Sequence, residues 1–349
     1  MAENRIRVGV AGLGRIGWLY HCKTLAPHPD YELAAVQDPE AERRREAEQT
    51  YGVKAYKAFR EMLASGSLDL AVIATPTHLH SKMARAALRH GCHVMLEKPM
   101  ARDEREARAI LRTAQRSERA LTVFQPRRAA AYFQHLRQLL ASGKIGEVYH
   151  VRRGMFSYRR RDDWQSLSRY GGGMLNNYGA HALDQVLQII GYDVRRVFCN
   201  LRVVASLGDA DDVVKIILET RRGVLGEVDI NQASATEPFE LEVWGTRGTL
   251  SLGNGAFTLR YFDPADLAPK KLNRSLASAD RAYPSDAIPW KEETIPVDPS
   301  LAVDVYADLA RAIRTGSPTL VDPKEAVAVM GIIARCRADS GRVVPTKLK

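Results

Sequence analysis

Glu97-Lys98-Pro99 closes the apolar run His93, Val94, Met95, Leu96, and the glycine loop Gly12-x-Gly14-x-x-Gly17 closes an earlier run from Ile6 to Ala11. A loop of that spacing binds a dinucleotide when a strand precedes it and a helix follows. Gly12 permits the tight turn, Gly14 lets the backbone approach a pyrophosphate, and Gly17 lets helix and strand pack closely. Arg15 and Ile16 sit in the same loop, at the N-terminus of a helix expected over Trp18 to Leu25, where the phosphate charge is favoured. Lys98 then supplies an ammonium at the end of a later strand. Burial beside a cationic nicotinamide lowers a lysine pKa toward neutrality, and the ammonium can donate to a developing alkoxide. His181 shares one face of a helix with Asn177, Asp184, Gln185 and Gln188, while Leu183, Val186, Leu187 and Ile190 form the apolar stripe, so this is not a core histidine. The chemistry these parts suit is oxidation of a secondary alcohol: a base takes the hydroxyl proton as hydride leaves the same carbon.

The elements that must position these groups follow. A second strand, Tyr31 to Val36, leads to Asp38, twenty-one positions after Gly17, where a carboxylate accepts from ribose hydroxyls and favours NAD. NADP stays open because Arg43, Arg44 and Arg45 stand nearby, although their spacing from Glu40, Glu42, Glu46 and Glu48 reads as ion pairs on a solvated helix, Ala41 to Tyr51. Strands at Leu68 to Thr75, His93 to Glu97 and Leu121 to Phe124 alternate with helices at His80 to His90 and Arg102 to Ser117. That alternation implies a doubly wound parallel sheet, with ligands beyond its carboxyl ends at Thr75-Pro76-Thr77, Glu97-Lys98-Pro99 and Gln125-Pro126-Arg127. Glu97 is expected to position Lys98 or the cofactor, and Pro99 to follow a cis bond.

Beyond a linking helix, Tyr132 to Ser142, strands at Glu147 to Phe156, Val197 to Val203, Val213 to Glu219, Val224 to Asn231, Leu241 to Trp244 and Thr249 to Leu252 read as antiparallel. Arg222-Gly223 and Thr246-Arg247-Gly248 look like hairpin turns. Asp263 to Pro299 reads as irregular, and helices at Leu301 to Thr315 and Pro323 to Ser340 close the chain. A length of 349 residues predicts two domains, taken as 1–125 and 126–349. No membrane-spanning run and no signal peptide are apparent, so a cytoplasmic location is expected. Cys22, Cys92, Cys199 and Cys336 are isolated, and neither they nor His78 and His80 suggest a metal site. The net charge of +10 is spread among helices that also carry glutamates, which argues against nucleic acid; part of it could draw anionic substrates.

These motifs, with Ala74-Thr75-Pro76-Thr77-His78-Leu79-His80 and Gly171-Gly172-Gly173-Met174-Leu175-x-Asn177-x-Gly179-x-His181-x-x-Asp184, resemble the glucose-fructose oxidoreductase / inositol dehydrogenase / MocA-like (Gfo/Idh/MocA) family over nearly the whole chain. The resemblance implies an α/β Rossmann domain followed by an α+β domain built on a large open-faced, mainly antiparallel sheet. The active site would lie between them. It also implies NAD or NADP as hydride carrier and sugars, inositols or related polyols as substrates. Lys98 and His181 match the family's catalytic lysine and acid-base histidine, and Thr75, Pro76, His80, Glu97, Lys98 and Gln125 join the glycine loop and Asp38 as cofactor contacts. Arg127, Tyr158, Trp164, Asn177 and Asp184 join Lys98 and His181 at the substrate, with Arg153 and Tyr178 as further lining. Asn177 stands where many members have aspartate, and Pro126 where relatives often show asparagine. An amide at 177 can orient the imidazole but adds no charge. A homodimer or homotetramer is expected, since an open sheet needs cover. Two alternatives remain: an NAD-dependent glycoside hydrolase of the same fold, and a non-catalytic dinucleotide sensor.

Overall fold

The computed structural model of the protein describes residues 5–66, 68–274, 286–341 and 343–345. Strands β1 (Ile6–Ala11), β2 (Tyr31–Gln37), β3 (Lys54–Tyr56), β4 (Leu70–Ile73), β5 (His93–Glu97) and β6 (Leu121–Phe124) form one sheet in the order β3-β2-β1-β4-β5-β6. Every neighbour in it is parallel. Its central strands are almost wholly apolar because helices cover both faces. The order reverses between β1 and β4, and a crevice opens at such a point beyond the carboxyl ends. The glycine loop, Thr75, Lys98 and Gln125 all follow strands at that edge. Only β3 escapes the sequence reading, being three residues long and too short to show a period.

The second sheet contains β7 (Val148–Phe156), β8 (Val194–Val203), β9 (Val213–Thr220), β10 (Leu225–Asn231), β11 (Leu241–Gly245), β12 (Gly248–Gly253), β13 (Ala256–Tyr261), β14 (Lys291–Pro296) and β15 (Val344–Pro345). Their order is β14-β13-β12-β11-β7-β10-β9-β8-β15. Hairpins form where Arg222-Gly223 and Thr246-Arg247 predict them, between β9 and β10 and between β11 and β12. The sheet is mainly antiparallel, as expected; the qualification is that β7 runs parallel to β10, and β15 to β8. A correction concerns the stretch read as irregular, which contains β14. Its charged Lys-Glu-Glu start and terminal proline suit an edge strand and hide it from a hydrophobic pattern. Residues 275–285 of that stretch lie outside the described residues.

The helix Ala180–Ile190 lies on the second sheet, burying Leu183, Val186, Leu187 and Ile190. Each such side chain contributes about 1.5–3 kcal/mol. Gly226 of β10 lets the helix lie close, since a Cβ there would stand 2.6 Å from Val186 Cγ1 and 2.8 Å from Ile190 Cδ1. The polar face of this helix is buried as well. Arg128, 1% exposed, donates from Nε to Asp184 Oδ2 at 3.0 Å and from Nη2 to Asp184 Oδ1. Its Nη1 reaches Glu325 on the helix Pro323–Ser340 and the Leu320 carbonyl at 3.3 Å. One guanidinium therefore ties three segments together.

The helix Val305–Thr315 crosses the expected division at 125: Tyr306, Leu309 and Ala310 are buried with Leu25 and Tyr31 against β1 and β2. No helix among the described residues is long and apolar enough to span a membrane. Removing one partner of a buried ion pair strands the other charge, so Asp184→Ala should lower unfolding free energy by about 3–5 kcal/mol in urea titrations. A loss below about 1 kcal/mol, the scale of exposed pairs, would contradict that role for Asp184.

Candidate active site

The glycine loop separates two kinds of requirement. Gly12 has φ +89, and a Cβ there would stand 2.7 Å from the Ala74 carbonyl oxygen; a Cβ on Gly17 would stand 1.8 Å from the Gly12 carbonyl oxygen. Both are demanded by the protein's own packing. At Gly14 nothing lies within 4 Å of an added Cβ. The space a side chain would fill suits the close passage of a pyrophosphate, so the loop fits a dinucleotide. Arg15 and Ile16 are exposed beside it. The helix then runs over 15–25, with a π-turn at Gly17–Cys22.

Asp38 is 2% exposed; its Oδ2 accepts from the Leu13 amide at 2.8 Å and its Oδ1 from the Glu40 amide at 2.9 Å. Oδ1 keeps a lone pair for a ribose hydroxyl, while Oδ2 also faces Arg43 Nη1. Arg43 and Arg44 differ from expectation. Arg43 lies 3.4 Å from Asp38, and Arg44 donates to the carbonyls of Asp38 and Pro39 at 2.8 and 2.7 Å, so both turn toward the strand end and its acceptors.

The Glu97-Lys98-Pro99 turn is held from behind. Glu97 Oε2 accepts the Lys98 amide at 3.1 Å, and Oε1 lies 3.1 Å from His21 Nε2. His21 Nδ1 lies 2.6 Å from the Tyr306 hydroxyl. Burial raises the Tyr306 pKa well above its ordinary value, so the phenol keeps its proton for Nδ1 and leaves Nε2–H for Glu97. His80 sets its Nε2 2.8 Å from the Thr75 carbonyl and its Nδ1 3.0 Å from that of Pro99, across a cis Lys98–Pro99 bond. Glu97, expected at the cofactor, thus has both oxygens engaged in bracing this turn, and His80, also expected there, sits between two carbonyls, of which the ring, its pKa lowered by burial, donates to one. Thr75 is half-buried just before Pro76, and its hydroxyl lies 3.5 Å from Met83 Sδ. His21 and Tyr306 were not foreseen. They are 285 positions apart, and His21 sits in a π-turn where a 3.6-residue period fails.

Lys98 Nζ donates to the Asn177 carbonyl at 3.0 Å and to Asn177 Oδ1 at 2.8 Å. Of the three ammonium N–H groups one remains. Burial lowers the Lys98 pKa; Glu97 opposes the shift, and Arg127, Arg15 and Arg161 add to it. Asn177 Nδ2 in turn lies 3.3 Å from Gln165 Oε1. Asn177 belongs to a second π-turn, Leu175–Gly179, which leads into the helix carrying His181. Asp211 anchors this turn by accepting the Leu175 amide at 2.7 Å, and burial raises its pKa to about 6. Gly173, at φ +100, is needed because a Cβ would stand 2.3 Å from Asp211 Oδ1, and a Cβ on Gly172 would stand 2.4 Å from the Gln165 carbonyl oxygen. Protein groups fill the approach that these glycines allow.

His181 Nδ1 lies 2.6 Å from Gln125 Oε1, and Gln125 Nε2 donates to the Ala180 carbonyl at 3.2 Å. With its NH2 committed to a carbonyl, the amide presents oxygen to the ring. The network therefore assigns the hydrogen to Nδ1 and leaves Nε2 as an acceptor. Burial takes the His181 pKa well below its ordinary value, and Lys98, Arg127 and Arg153 push the same way. Gln125, expected at the cofactor, is thus the residue that orients the imidazole, and Asn177 serves the lysine. Arg127 sits with its guanidinium carbon 6.0 Å from the centroid of the Tyr178 ring. Arg153, 2% exposed, donates to Gln185 Oε1 at 3.0 Å. Asp184, expected at the substrate, has both oxygens on Arg128. Tyr158 and Trp164 are 52% and 48% exposed and bond to neither Lys98 nor His181.

Since Gly14 is unconstrained by the protein, Gly14→Val should leave the melting temperature within about 2 °C while weakening NADH binding by at least about tenfold in a fluorescence titration. Unchanged affinity would show that the dinucleotide does not pass there.

Residues 6–125 match the oxidoreductase family with an NAD-binding Rossmann fold, and residues 133–251 match the GFO/IDH/MocA C-terminal domain. The chain is 28% identical to myo-inositol 2-dehydrogenase of Thermotoga maritima over 257 residues, 71% of this chain and 75% of that protein. It is 27% identical to the uncharacterized oxidoreductase YdgJ of Escherichia coli, with 95% of each chain covered. Among solved structures, an NAD-binding protein from Listeria innocua superposes with a TM-score of 0.80 at 25% identity, covering 97% of this chain and 95% of that one. Motifs, two successive domain matches and a shared fold thus agree, and the chain belongs to the Gfo/Idh/MocA family of NAD-binding oxidoreductases.

Proposed function

We propose that the protein transfers a hydride between a secondary alcohol of a sugar, inositol or related polyol and a nicotinamide cofactor, with His181 as base and Lys98 as the cation that stabilises the alkoxide. The observation that carries this reading is the pairing of an acceptor Nε2 on a neutral, buried imidazole with an ammonium whose remaining N–H is uncommitted. The bound nicotinamide would supply the hydride acceptor. His181 takes the hydroxyl proton on Nε2, and the spare N–H of Lys98 donates to the oxygen as negative charge develops on it. Gln125 keeps the imidazole in the accepting tautomer until that transfer and holds its Nδ1–H afterwards. Relatives named myo-inositol 2-dehydrogenase and, from Rhizobium rhizogenes, D-apiose dehydrogenase support the substrate class at 28% identity. Asp38 supports NAD over NADP, because its carboxylate would repel a 2'-phosphate. Exposed Phe198 and Ile217 on β8 and β9 support a homo-oligomer that covers the open face of the second sheet.

A panel of inositols, aldoses and sugar derivatives with NAD should yield NADH at 340 nm in stoichiometric amount with at least one alcohol; release of an aglycone without net NADH, or no turnover at all, would overturn the reading. Lys98→Ala should lower kcat by about 10²–10⁴ with NADH affinity retained, and near-normal turnover would refute the role of the lysine.

Acidity gives a second handle. Oxidation needs neutral His181, so kcat/KM falls as pH drops through a pKa that lies well below 6.5. Gln125→Glu places a carboxylate on Nδ1, favours the imidazolium and should move this acid limb upward by about 1–3 units. An unmoved limb would exclude His181 as the titrating base.

A further inference from the structure

Lined by Tyr178, the neighbour in sequence of the Asn177 that holds Lys98, a cavity of about 790 Å³ opens between the end of β7 and the segment joining β10 to β11. Arg127, Arg153, Arg159, Tyr178 and Gln232 line it, together with the exposed Glu237 and Glu240. Charge in this region is unbalanced near the reacting groups. Lys98 and His181 both feel the positive charge of Arg127, and Asn177 brings an amide to the point where Lys98 is held. Asp184 is committed to Arg128, Glu97 to His21, Asp163 to Arg161 and Glu242 to Arg152, whereas the exposed Glu237 lines the cavity itself. Glu240 stands 3.8 Å from Arg153, which also donates to two backbone carbonyls. Arg127 differs from these. It is half-buried, lies over the Tyr178 ring, and among the described residues its guanidinium has no carboxylate partner.

A second observation on the same wall points to a ligand. Gln232 is 2% exposed, and its Oε1 has no hydrogen-bond donor among the described residues. Leaving a buried carbonyl oxygen unsatisfied is costly unless a ligand hydroxyl or water supplies the bond. Arg159 stands next to it, its backbone amide on the Gln232 carbonyl at 2.9 Å.

We infer that this cavity receives the end of the substrate remote from the reacting carbon, and that this end carries an anion, a carboxylate or a phosphate, seated on Arg127, with a hydroxyl donating to Gln232 Oε1. The substrate class is then an acidic sugar derivative. A planar guanidinium takes either anion in a bidentate manner, which fixes the substrate as well as attracting it. The inference rests on the proposed dehydrogenase reading and narrows its substrate.

The test compares D-gluconate and D-glucuronate, glucose 6-phosphate, and neutral D-glucose and myo-inositol, by titration calorimetry into NADH-loaded protein and by NADH production from NAD. An acid should bind and turn over at least tenfold better than its neutral counterpart, carboxylates and phosphate being separated by which arm responds. Arg127→Met should cut the acid-to-neutral ratio of kcat/KM at least tenfold, and Arg127→Lys should restore part of it. Neutral polyols that match or exceed the acids, an unchanged ratio in Arg127→Met, or no binding of any acid would overturn the inference. Turnover of neutral substrates alone would do so while leaving the dehydrogenase reading intact.

Discussion

The charge of Lys98 weighs on a neutral His181 imidazole, among the described residues no carboxylate bonds to the ammonium or to the ring, and this constraint organises the site. An ordinary lysine beside an ordinary histidine would sit in water with both groups accommodating their charge. Here burial weighs against charge on each; Lys98, Arg127 and Arg153 add to this at His181, and Arg127, Arg15 and Arg161 at Lys98. The outcome that geometry permits is division of labour. Lys98 has two acceptors on Asn177 to steady its ammonium, whereas His181 meets an amide oxygen that asks only for a hydrogen on Nδ1.

Each half of that arrangement is braced by its own sheet. On the first, Glu97 links Lys98 to His21 and, through it, to Tyr306 from the far end of the chain, while His80 fastens the Thr75 turn to Pro99. On the second, the apolar stripe of the helix Ala180–Ile190 seats against β7 and β10, and the Arg128 pair locks its polar side. Two π-turns, Gly17–Cys22 and Leu175–Gly179, contribute His21 and Asn177 to this framework. A π-turn shifts the side-chain phase that a regular helix would impose, which is one reason such turns recur at functional sites.

Much of this was legible in the sequence because the relevant signals are local. The apolar runs ending at Ala11, Glu97 and Phe124, the glycine spacing and the stripe at Leu183 to Ile190 each depend on residues a few positions apart, and the structure places the strands and helices where those periods predict. What stayed hidden was set by contacts distant in sequence. Nothing about Arg128 announces that it faces Asp184, 56 positions later, so Asp184 read as a substrate ligand. Gln125 and His181 are likewise 56 positions apart, and a glutamine at a strand end looks equally suited to a cofactor or to a ring nitrogen. Charged edge strands such as β14 carry no apolar alternation, and a parallel neighbour in a sheet of hairpins cannot be inferred from turn residues.

The central claim is the protonation state of one ring. Long-range ¹H–¹⁵N spectra of the nine histidine side chains at pH 7 would read it directly, with the His181 signals identified by their loss in His181→Gln. The account predicts the shift pattern of a neutral ring protonated on Nδ1 with a bare Nε2. An imidazolium pattern, or a neutral ring carrying its hydrogen on Nε2, would contradict it.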